Sequence, residues 1–306
     1  MRRLLFALLL PGLLPAQVDF TQAKDRVEVS IASRPFTTLH FGKDARKPFL
    51  FPLSTPSGIK ITRGFPLEPN PGDPTDHPHQ KGLWTGTEQL NGVDFWENDP
   101  SYNRPRMGTI LFRDVTRASA GALAYAADWI TPEGKNIIAE SHSLRFSALT
   151  PTINAIDVDF TLTARGPDDV LFEDHQDAVI GIRLGPAFDE KTGAYPENAE
   201  GYRGEAGIRG RASRWVDWRA KIDGKHVGFA ILDHPANFNS PARWHLRSFG
   251  FLACNPFARQ SFDPAATSGE KQLKPGESIR LRYRILVHDG PIDLKSLYRE
   301  YSTSAQ

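Results

Sequence analysis

The 306-residue sequence contains a single cysteine, Cys254, and only two methionines. One cysteine excludes an intrachain disulfide, so the fold has to be held together by its core. Cys254 lies in the apolar run FGFLACNPF, where a buried, unreactive thiol is expected rather than a nucleophile. Motifs for a phosphate-binding glycine-rich loop, a GxSxG nucleophile elbow and an HExxH metal site are absent as well.

The sequence also lacks an excess of charge of one sign, because 37 basic residues are balanced by 36 acidic ones. Nucleic acids and anionic membrane surfaces are bound by clustered basic residues. A formal charge of +1 gives no electrostatic reason to expect either partner. We therefore predict that nucleic acid is not a partner of this protein.

Long hydrophobic runs are confined to the first residues, MRRLLFALLLPGLLPAQ. Arg2 and Arg3 precede an apolar segment from Leu4 to Leu14, and Pro15-Ala16 resembles a cleavage site. The apolar segment is too short to span a bilayer comfortably. We expect residues 1–16 to be a signal peptide, the protein to be secreted or periplasmic, and no membrane span to remain after cleavage. An uncleaved N-terminal anchor is the alternative.

Alternation of apolar and polar residues dominates the rest of the sequence. In INAIDVDFTLTA, Ile156, Val158, Phe160 and Leu162 share one face, and SIRLRYRILVH repeats this period of two. WVDWRAKIDGKHVGFAIL predicts a hairpin that turns at Asp223-Gly224. Helical spacing is convincing only in PIDLKSLYREYS. The pattern predicts an all-β fold, a large antiparallel β-sandwich with a short C-terminal helix.

Domain boundaries are not evident after the leader. Neither a low-complexity linker nor a repeat of propeller or solenoid length is found, so residues 17–306 are predicted to form one β-sandwich domain. The segment from Pro186 to Ser213 is rich in glycine and charge. We expect a long surface loop there, either a functional lid or a mobile excursion.

Residues 75–99, TDHPHQKGLWTGTEQLNGVDFWEND, concentrate side chains that can carry chemistry. His77 and His79 point the same way if the backbone is extended, and Pro78 between them favours that conformation. Such a pair can transfer protons near neutral pH or hold a metal ion. Two loop histidines that bind only backbone groups are the structural alternative.

Two tryptophans of the same segment, Trp84 and Trp96, suit stacking on sugar rings, because each combines a flat apolar face with an N–H donor. Acceptors for sugar hydroxyls are available in Glu88, Asp94 and Glu97. The alternative is that the aromatic residues belong to the core of a strand.

Two later segments have related chemistry. LDHPANFNSPARWHLRSFGFLACNPF repeats the Asp-His-Pro step at Asp233 and adds a Trp-His pair, Trp244 and His245. LFEDHQDAVIGIRLG supplies Glu173 and Asp177 ahead of a strand. A carboxylate from the second of these segments could pair with a histidine from another as base and acid. A solvated turn is the alternative for each single acid.

Three stretches, HPHQKGLWTGTEQLNGVDFW, RWVDWRAKIDGKHVGFAILDHPANFNSPARWHLRSFGFLACNPF and LRYRILVHDG, resemble the secreted bacterial proteins known as PmoA-like domains. The resemblance runs from about Phe51 to His288 in the same order. It implies a galactose-mutarotase-like β-sandwich, a fold used by sugar epimerases, lyases and some glycosidase domains. Methane oxidation, which the family name suggests, is not expected without membrane spans.

Residue by residue, the resemblance marks His77, His79, Gly82, Trp84, Asn91, Gly92, Asp94, Phe95 and Trp96, and then Arg183, Asp233, His234, Pro235, Trp244, His245, Arg247, Asn255, Pro256 and Phe257. The sequence departs from the family in DHQDAVIGIR, where relatives often carry a Lys-Glu-Gly step and Asp177 stands in place of the glutamate. An aspartate is one methylene shorter, which puts an essential role for a carboxylate at that position in doubt.

Our leading hypothesis is a secreted carbohydrate-active enzyme, an epimerase, lyase or hydrolase, with His79 and His245 as first choices for acid or base and Asp177 or Glu173 as the partnering carboxylate. The predicted substrate-binding residues are His77, Lys81, Trp84, Asp94, Trp96, Arg183, His234, Trp244, Arg247 and Asn255. A non-catalytic carbohydrate-binding sandwich is the first alternative. The second is a metal site built from His77, His79, His234 or His245 with a carboxylate. No cofactor is otherwise expected.

Overall fold

The computed structural model describes residues 16–42, 45–102 and 104–303, so the predicted signal peptide lies almost entirely outside the described residues. The first strands are β1 Val18–Gln22, β2 Arg26–Ile31, β3 Arg34–His40, β4 Phe49–Leu50, β5 Leu83–Thr87, β6 Thr109–Ser119, β7 Ala122–Ile130, β8 Asn136–Thr150 and β9 Ile153–Ala164. The later ones are β10 Val170–Phe172, β11 Ala178–Arg183, β12 Tyr195–Asn198, β13 Trp215–Ile222, β14 Lys225–Asp233, β15 Arg243–Arg247, β16 Phe251–Asn255, β17 Lys271–Leu273 and β18 Ser278–Asp289. The α-helices are α1 Gly204–Ile208 and α2 Leu294–Thr303.

Two eight-stranded antiparallel sheets face each other. The first has the order β1-β2-β3-β4-β5-β11-β16-β15, and the second has the order β12-β13-β14-β18-β9-β8-β7-β6. A two-stranded ribbon, β10-β17, lies beside them. The predicted large antiparallel β-sandwich is therefore confirmed. Among the described helices, none is both long and apolar enough to cross a bilayer.

The central strands follow the predicted period of two. Strand β9 begins and ends where the INAIDVDFTLTA pattern does, and its Ile156, Val158, Phe160 and Leu162 are buried between the sheets. On the other face of the second sheet, the Asp157 carboxylate accepts a hydrogen bond from an arginine of β18. Apolar side chains thus fill the space between the sheets, while the acidic positions of β9 are neutralised across the ladder.

The predicted hairpin is confirmed in position and turn. Strands β13 and β14 pair so that Ile222 faces Lys225 across the turn. Asp223 and Gly224 have φ angles of 49° and 78°, the left-handed values that a type I′ turn requires. The C-terminal helix also forms, and Leu294 and Tyr301 of α2 pack against the outer face of the second sheet.

The expectation of a lid or mobile excursion between Pro186 and Ser213 is wrong. This segment contains two short 3-10 turns, strand β12 paired with β13, and helix α1. Phe188 and Ile208 are both fully buried. Although apolar residues are sparse in this segment, they are spaced to reach the core, so it packs as part of the fold.

The face of the first sheet that points away from the second sheet carries the candidate site, and we call it the outer face. Trp84, Gly181, Ala253 and His245 are paired positions that form one row across strands β5, β11, β16 and β15. Their neighbours along the strands point instead into the core between the sheets. The alternation of strand residues therefore brings distant parts of the sequence onto one surface.

Candidate functional site

Four titratable side chains converge at one end of the outer face, and we call them the acid–histidine cluster: Glu88, His175, Asp177 and His245. Glu88 follows β5, His175 and Asp177 lie in the turn that leads into β11, and His245 is in β15. Asp177 Oδ1 lies 3.0 Å from His245 Nδ1, and Glu88 Oε2 lies 3.1 Å from His175 Nδ1. The predicted pairing of an acid from the DHQD segment with a histidine from another segment is present in the structure.

Backbone contacts hold the cluster in place. The Glu88 N–H donates to the carbonyl of Asp177 at 3.0 Å, which continues the β5–β11 ladder. Asn255 is fully buried, and its amide donates to the carbonyl oxygens of His175 (2.7 Å) and Gln176 (3.2 Å). Asn255, predicted to bind substrate, therefore positions the turn that carries the cluster.

Negative charge is crowded around Glu88. Burial raises the pKa of Glu88 to about 7, and the nearby carboxylates of Asp177 and Asp94 add to the shift. Burial also raises the pKa of Asp94, although a hydrogen bond from the backbone N–H of Trp96 opposes it. A neutral Glu88 is an acid that can donate a proton near neutral pH.

His245 is enclosed by aromatic rings. Its residue is 8% exposed, and the rings of Phe251 and Phe262 stand edge-on to it at centroid distances of 5.2 and 6.0 Å. One ring nitrogen, Nδ1, contacts Asp177, whereas Nε2 is buried and has no hydrogen-bond partner. An unpaired buried nitrogen costs free energy unless a bound molecule satisfies it.

A single carboxylate ties the cluster to the loop that carries Phe262. Asp174 accepts hydrogen bonds from the backbone N–H groups of Arg259, Gln260, Ser261 and Gly269, and one from the Ser261 hydroxyl. Burial alone would raise the pKa of Asp174, but the bonds from Ser261 and the backbone outweigh it and lower the pKa. The turn before β11 and the loop over His245 are thereby fastened together.

The loop with His77 and His79 is clamped by two buried arginines. Arg63 donates to the carbonyl oxygens of Pro74, Asp76, His77 and Gln80. The Asp76 carboxylate also accepts from Arg63 at 2.8 Å and from Arg183 at 3.0 Å. Arg183, predicted to bind substrate, is thus a structural clamp with side-chain exposure of only 1%.

His77 and His79 lie in this clamped loop and not in the acid–histidine cluster. Nδ1 of His77 lies 2.6 Å from Asp76 Oδ2, and the His77 ring stacks on Phe249 at 6.1 Å. His79 contacts the Tyr102 hydroxyl at 3.2 Å. Burial, together with cations that include Lys47, lowers the pKa of His79 to about 2. A pKa this low favours the neutral form of His79, and its place outside the acid–histidine cluster gives the predicted acid–base role no support.

The three predicted sugar-stacking tryptophans are all buried. Trp84 and Trp96 pack on each other and on Phe251, with exposures of 2% and 1%. Trp244 points into the main core, and its N–H donates to the carbonyl of Ser213 at 2.9 Å. Because no ring face is open to a ligand, the predicted stacking role is wrong for these three residues. These tryptophans are buried among other side chains, which is the alternative that the sequence analysis gives for the aromatic residues.

Other predicted site residues have structural partners away from the cluster. Glu173 accepts from the N–H of Gly92 at 2.7 Å, so it fixes a turn and is not the partner of His245. The remaining predicted binding residues are placed as follows: Lys81 pairs with Asp99, exposed Arg247 pairs with Glu205, Asp94 accepts from the N–H groups of Trp96 and Glu97, and His234 packs on Tyr301 of α2.

Glu88 and His175 are the functional candidates that the site prediction omitted. Glu88 was noted only as an acceptor for hydroxyls, yet it continues the period of two that starts at Trp84 in β5. A strand that presents Trp84 on the outer face presents Glu88 there as well. His175 shares the turn of Asp177, and the same i, i+2 spacing could have identified it.

The four histidines predicted as metal ligands do not converge. His77 and His79 adjoin each other, but His234 and His245 lie against Tyr301 and Asp177 respectively. Among the described residues, the donors that do come together belong to Glu88, His175 and Asp177, whose ligand atoms lie within 4.8 Å of one another. A metal site in this part of the protein would therefore be formed by residues other than the four predicted histidines.

The model of DUF6807, a family of unknown function, matches residues 26–301. No curated protein matches the chain. A heparan sulfate lyase HepC mutant from Pedobacter heparinus aligns at 9% identity and a TM-score of 0.41, over 92% of this chain and 38% of that one. A GalM/aldose epimerase homologue from C. elegans aligns at 9% identity and a TM-score of 0.31, over 91% and 100%. A polysaccharide lyase aligns at 12% identity and a TM-score of 0.39, over 94% and 35%.

The chain thus spans little more than a third of the length of either lyase. Epimerase-type sandwiches are among the structures that align, but at these scores and identities they assign no activity. The PmoA-like designation expected from the sequence is not supported by the family match. The strand topology by itself establishes the β-sandwich.

Proposed function

This chain belongs to the DUF6807 family, and we propose that it is a secreted carbohydrate-active enzyme in which His245, oriented by Asp177, transfers a proton to or from a sugar. The substrate is a sugar or glycoside, and the reaction class is epimerisation, elimination or hydrolysis. Each of these reactions requires a positioned acid or base beside the sugar ring.

The contact between Asp177 and His245 carries the proposal. A carboxylate beside Nδ1 accepts a hydrogen bond from the N–H of that nitrogen and leaves Nε2 as the nitrogen that can take a proton. Nε2 of His245 is the buried atom without a partner, so a substrate hydroxyl or C–H group would occupy a position that the protein leaves unsatisfied.

The surroundings of His245 suit a hydroxyl-rich ligand. Glu88, His175 and Asp177 are partly exposed and offer acceptors and donors on one side. Phe262, half-buried beside His245, offers an apolar ring face on the other. Sugars present hydroxyls at their edges and C–H groups on their faces, which matches this combination.

The non-catalytic alternative has less support. Binding modules of that kind hold sugars with exposed aromatic residues, and Trp84, Trp96 and Trp244 are all buried. A titratable cluster with an oriented imidazole is also more than binding requires. The proposal of secretion rests on residues 1–16, whose charged start and apolar segment suit a signal peptide.

The test compares His245→Gln with His226→Gln, an exposed histidine of β14 that serves as the matched control. The purified protein is screened against glycans and glycosides by product analysis. Solvent deuterium at carbon identifies epimerisation by proton abstraction, an unsaturated product identifies elimination, and addition of water across the cleaved bond identifies hydrolysis. We expect His245→Gln to lower kcat at least about 100-fold and to leave the affinity for the same sugar nearly unchanged. His226→Gln should behave like the wild type.

Two results would contradict the proposal. Wild-type turnover by His245→Gln would remove His245 from the chemistry. Saturable sugar binding by calorimetry, with no turnover of any glycan by the wild type, would favour the binding module instead.

A further inference from the structure

We propose that Glu88, His175 and Asp177 form a binding site for one divalent transition-metal ion at the outer face of the first sheet. This inference shares its location with the proposed function but does not depend on it, because a metal ion can bind here whether or not a sugar is turned over. The metal ligands predicted from the sequence were other residues, so the site follows from the three-dimensional arrangement.

The arrangement of the donor atoms is the first support. One ligand atom from each of the three residues lies within 4.8 Å of the other two. Atoms bound to one zinc ion at about 2.0–2.2 Å are separated by about 3–4 Å, so small side-chain rotations would bring the three donors onto one ion. All three residues are partly exposed, which gives an ion access from solvent.

The backbone around the donors is fixed in advance. The N–H of Glu88 is bonded to the carbonyl of Asp177, and Asn255 holds the carbonyl of His175. Two of the ligands are therefore secured across the β5–β11 ladder, and the third by a buried amide. A site on fixed backbone loses little conformational entropy when an ion binds.

Charge favours a cation at this point. Glu88 and Asp177 are adjacent carboxylates, and Asp94 lies close by. An ion of charge +2 between two carboxylates would replace their mutual repulsion by attraction. Among the described residues, Arg104 is a nearby cation, but its guanidinium is half exposed and paired with Glu97.

His245 already provides a hydrogen bond that orients one of the three proposed metal ligands. His245, a residue that is more than nine-tenths buried, hydrogen-bonds Asp177 Oδ1 through Nδ1 and leaves the other carboxylate oxygen for the ion. Metal-binding side chains are typically oriented by such outer hydrogen bonds. Nε2 of His245, at the same end of the face, is buried and has no hydrogen-bond partner.

The donor set selects the kind of metal. One imidazole with two carboxylates suits Zn²⁺ or Mn²⁺ better than Ca²⁺ or Mg²⁺, which prefer oxygen ligands alone. Three protein ligands leave at least one coordination position for water or a substrate oxygen, as in catalytic rather than structural zinc sites. A metal ion held here would lie beside His245, the proposed proton carrier.

The test measures binding directly. The full-length protein, produced without a histidine tag and stripped with chelator, is titrated with MnCl₂ by electron paramagnetic resonance and with ZnCl₂ by calorimetry. We expect one equivalent to bind, and His175→Ala to weaken the affinity at least about 10-fold while His226→Ala leaves it unchanged. Glu88→Gln, which keeps the side-chain volume, should weaken binding by a similar factor.

Circular dichroism and thermal unfolding of each metal-free variant show whether it is folded, and Glu88→Gln provides the comparison if His175→Ala is not. No saturable binding by the wild type, or equal affinities for Glu88→Gln and His226→Ala, would overturn the inference. A protein that binds one equivalent of metal but turns over no glycan would leave this inference standing and contradict the proposed function, so the two failures can be told apart.

Discussion

Asp177 and His245 are 68 positions apart in the sequence, yet Oδ1 of the aspartate lies 3.0 Å from Nδ1 of the histidine. Strand β16 runs between β15, which carries the histidine, and β11, which the aspartate precedes, and the residue of β16 opposite His245 is Ala253. The pair therefore depends on the strand order of the first sheet.

A double-mutant cycle tests whether this pair acts as one unit. We expect Asp177→Asn and His245→Gln each to lower kcat about 100-fold, and the double variant to lower it little further, because the aspartate works through the histidine. The measurement is kcat for each variant on the best substrate of the wild type. Independent effects that multiply to about 10⁴ would show that the two residues act separately.

The buried Asp233 should make stability depend on pH in an unusual direction. Burial raises the pKa of Asp233 from 3.8 to about 6, although hydrogen bonds from Asn237 and Ala242 partly oppose it. The folded state therefore prefers the protonated acid, and this contribution to stability is full below about pH 4 and is lost as the pH rises to about 6.

We expect the free energy of unfolding of the wild type, relative to Asp233→Asn, to fall by about 2–3 kcal/mol between about pH 4 and about pH 7. Urea unfolding of both proteins at several pH values gives this difference, in which the titration of other groups cancels. A difference that stays constant across this range would mean that Asp233 keeps an ordinary pKa in the folded protein.

Gly181 allows the rings of Trp84 and Trp96 to pack closely against the first sheet. A Cβ atom at this position would lie 2.5 Å from Cη2 of Trp96 and 3.2 Å from Cζ2 of Trp84. We expect Gly181→Ala to destabilise the fold by about 1–3 kcal/mol, because two large buried rings would have to move. Gly207→Ala is the control, since its nearest neighbour would be 3.6 Å away. Thermal unfolding that is equal for both variants would contradict this role of Gly181.

Arg63 should stabilise the loop that carries His77. Its side chain has no exposed surface, and it donates to four backbone carbonyls and to the Asp76 carboxylate. Arg63→Met should lower the free energy of unfolding by about 3 kcal/mol, because the carboxylate and carbonyls lose a buried cation.

We also expect the amide hydrogens of this loop to exchange with solvent faster in Arg63→Met. Hydrogen–deuterium exchange, followed by mass spectrometry of the peptide that contains His77, measures this rate. Arg26→Met is the control, because Arg26 pairs with Asp25 and Glu28 at the surface. We expect little change in either measurement for Arg26→Met. Unchanged exchange in Arg63→Met would show that the loop is held by other contacts.

Much of the sandwich could be predicted from sequence because strand alternation is a local property. Strand β9 and the hairpin at Asp223-Gly224 match their sequence patterns closely. The pairing of a DHQD carboxylate with a distant histidine was also a sound hypothesis. The sequence did not distinguish Asp177 from Glu173. The choice depends on which of the two carboxylates lies next to β11 and on the outer face of the first sheet.

The burial of the tryptophans was harder to predict for a different reason. A sheet residue that points away from the core is exposed only if nothing covers it. Trp84 is covered because Trp96, from another segment, docks over Gly181. Such covering depends on the path of a loop, which has no periodic signal in the sequence.

Asp174 joins the turn before β11 to the loop that carries Phe262. The position of this loop is therefore fixed separately from the side chains that the loop presents. The carboxylate of Asp174 holds that loop by its backbone, so the loop's path does not depend on which side chains it presents. Residues such as Phe262 could therefore change through evolution and admit different ligands while Glu88, Asp177 and His245 keep their geometry.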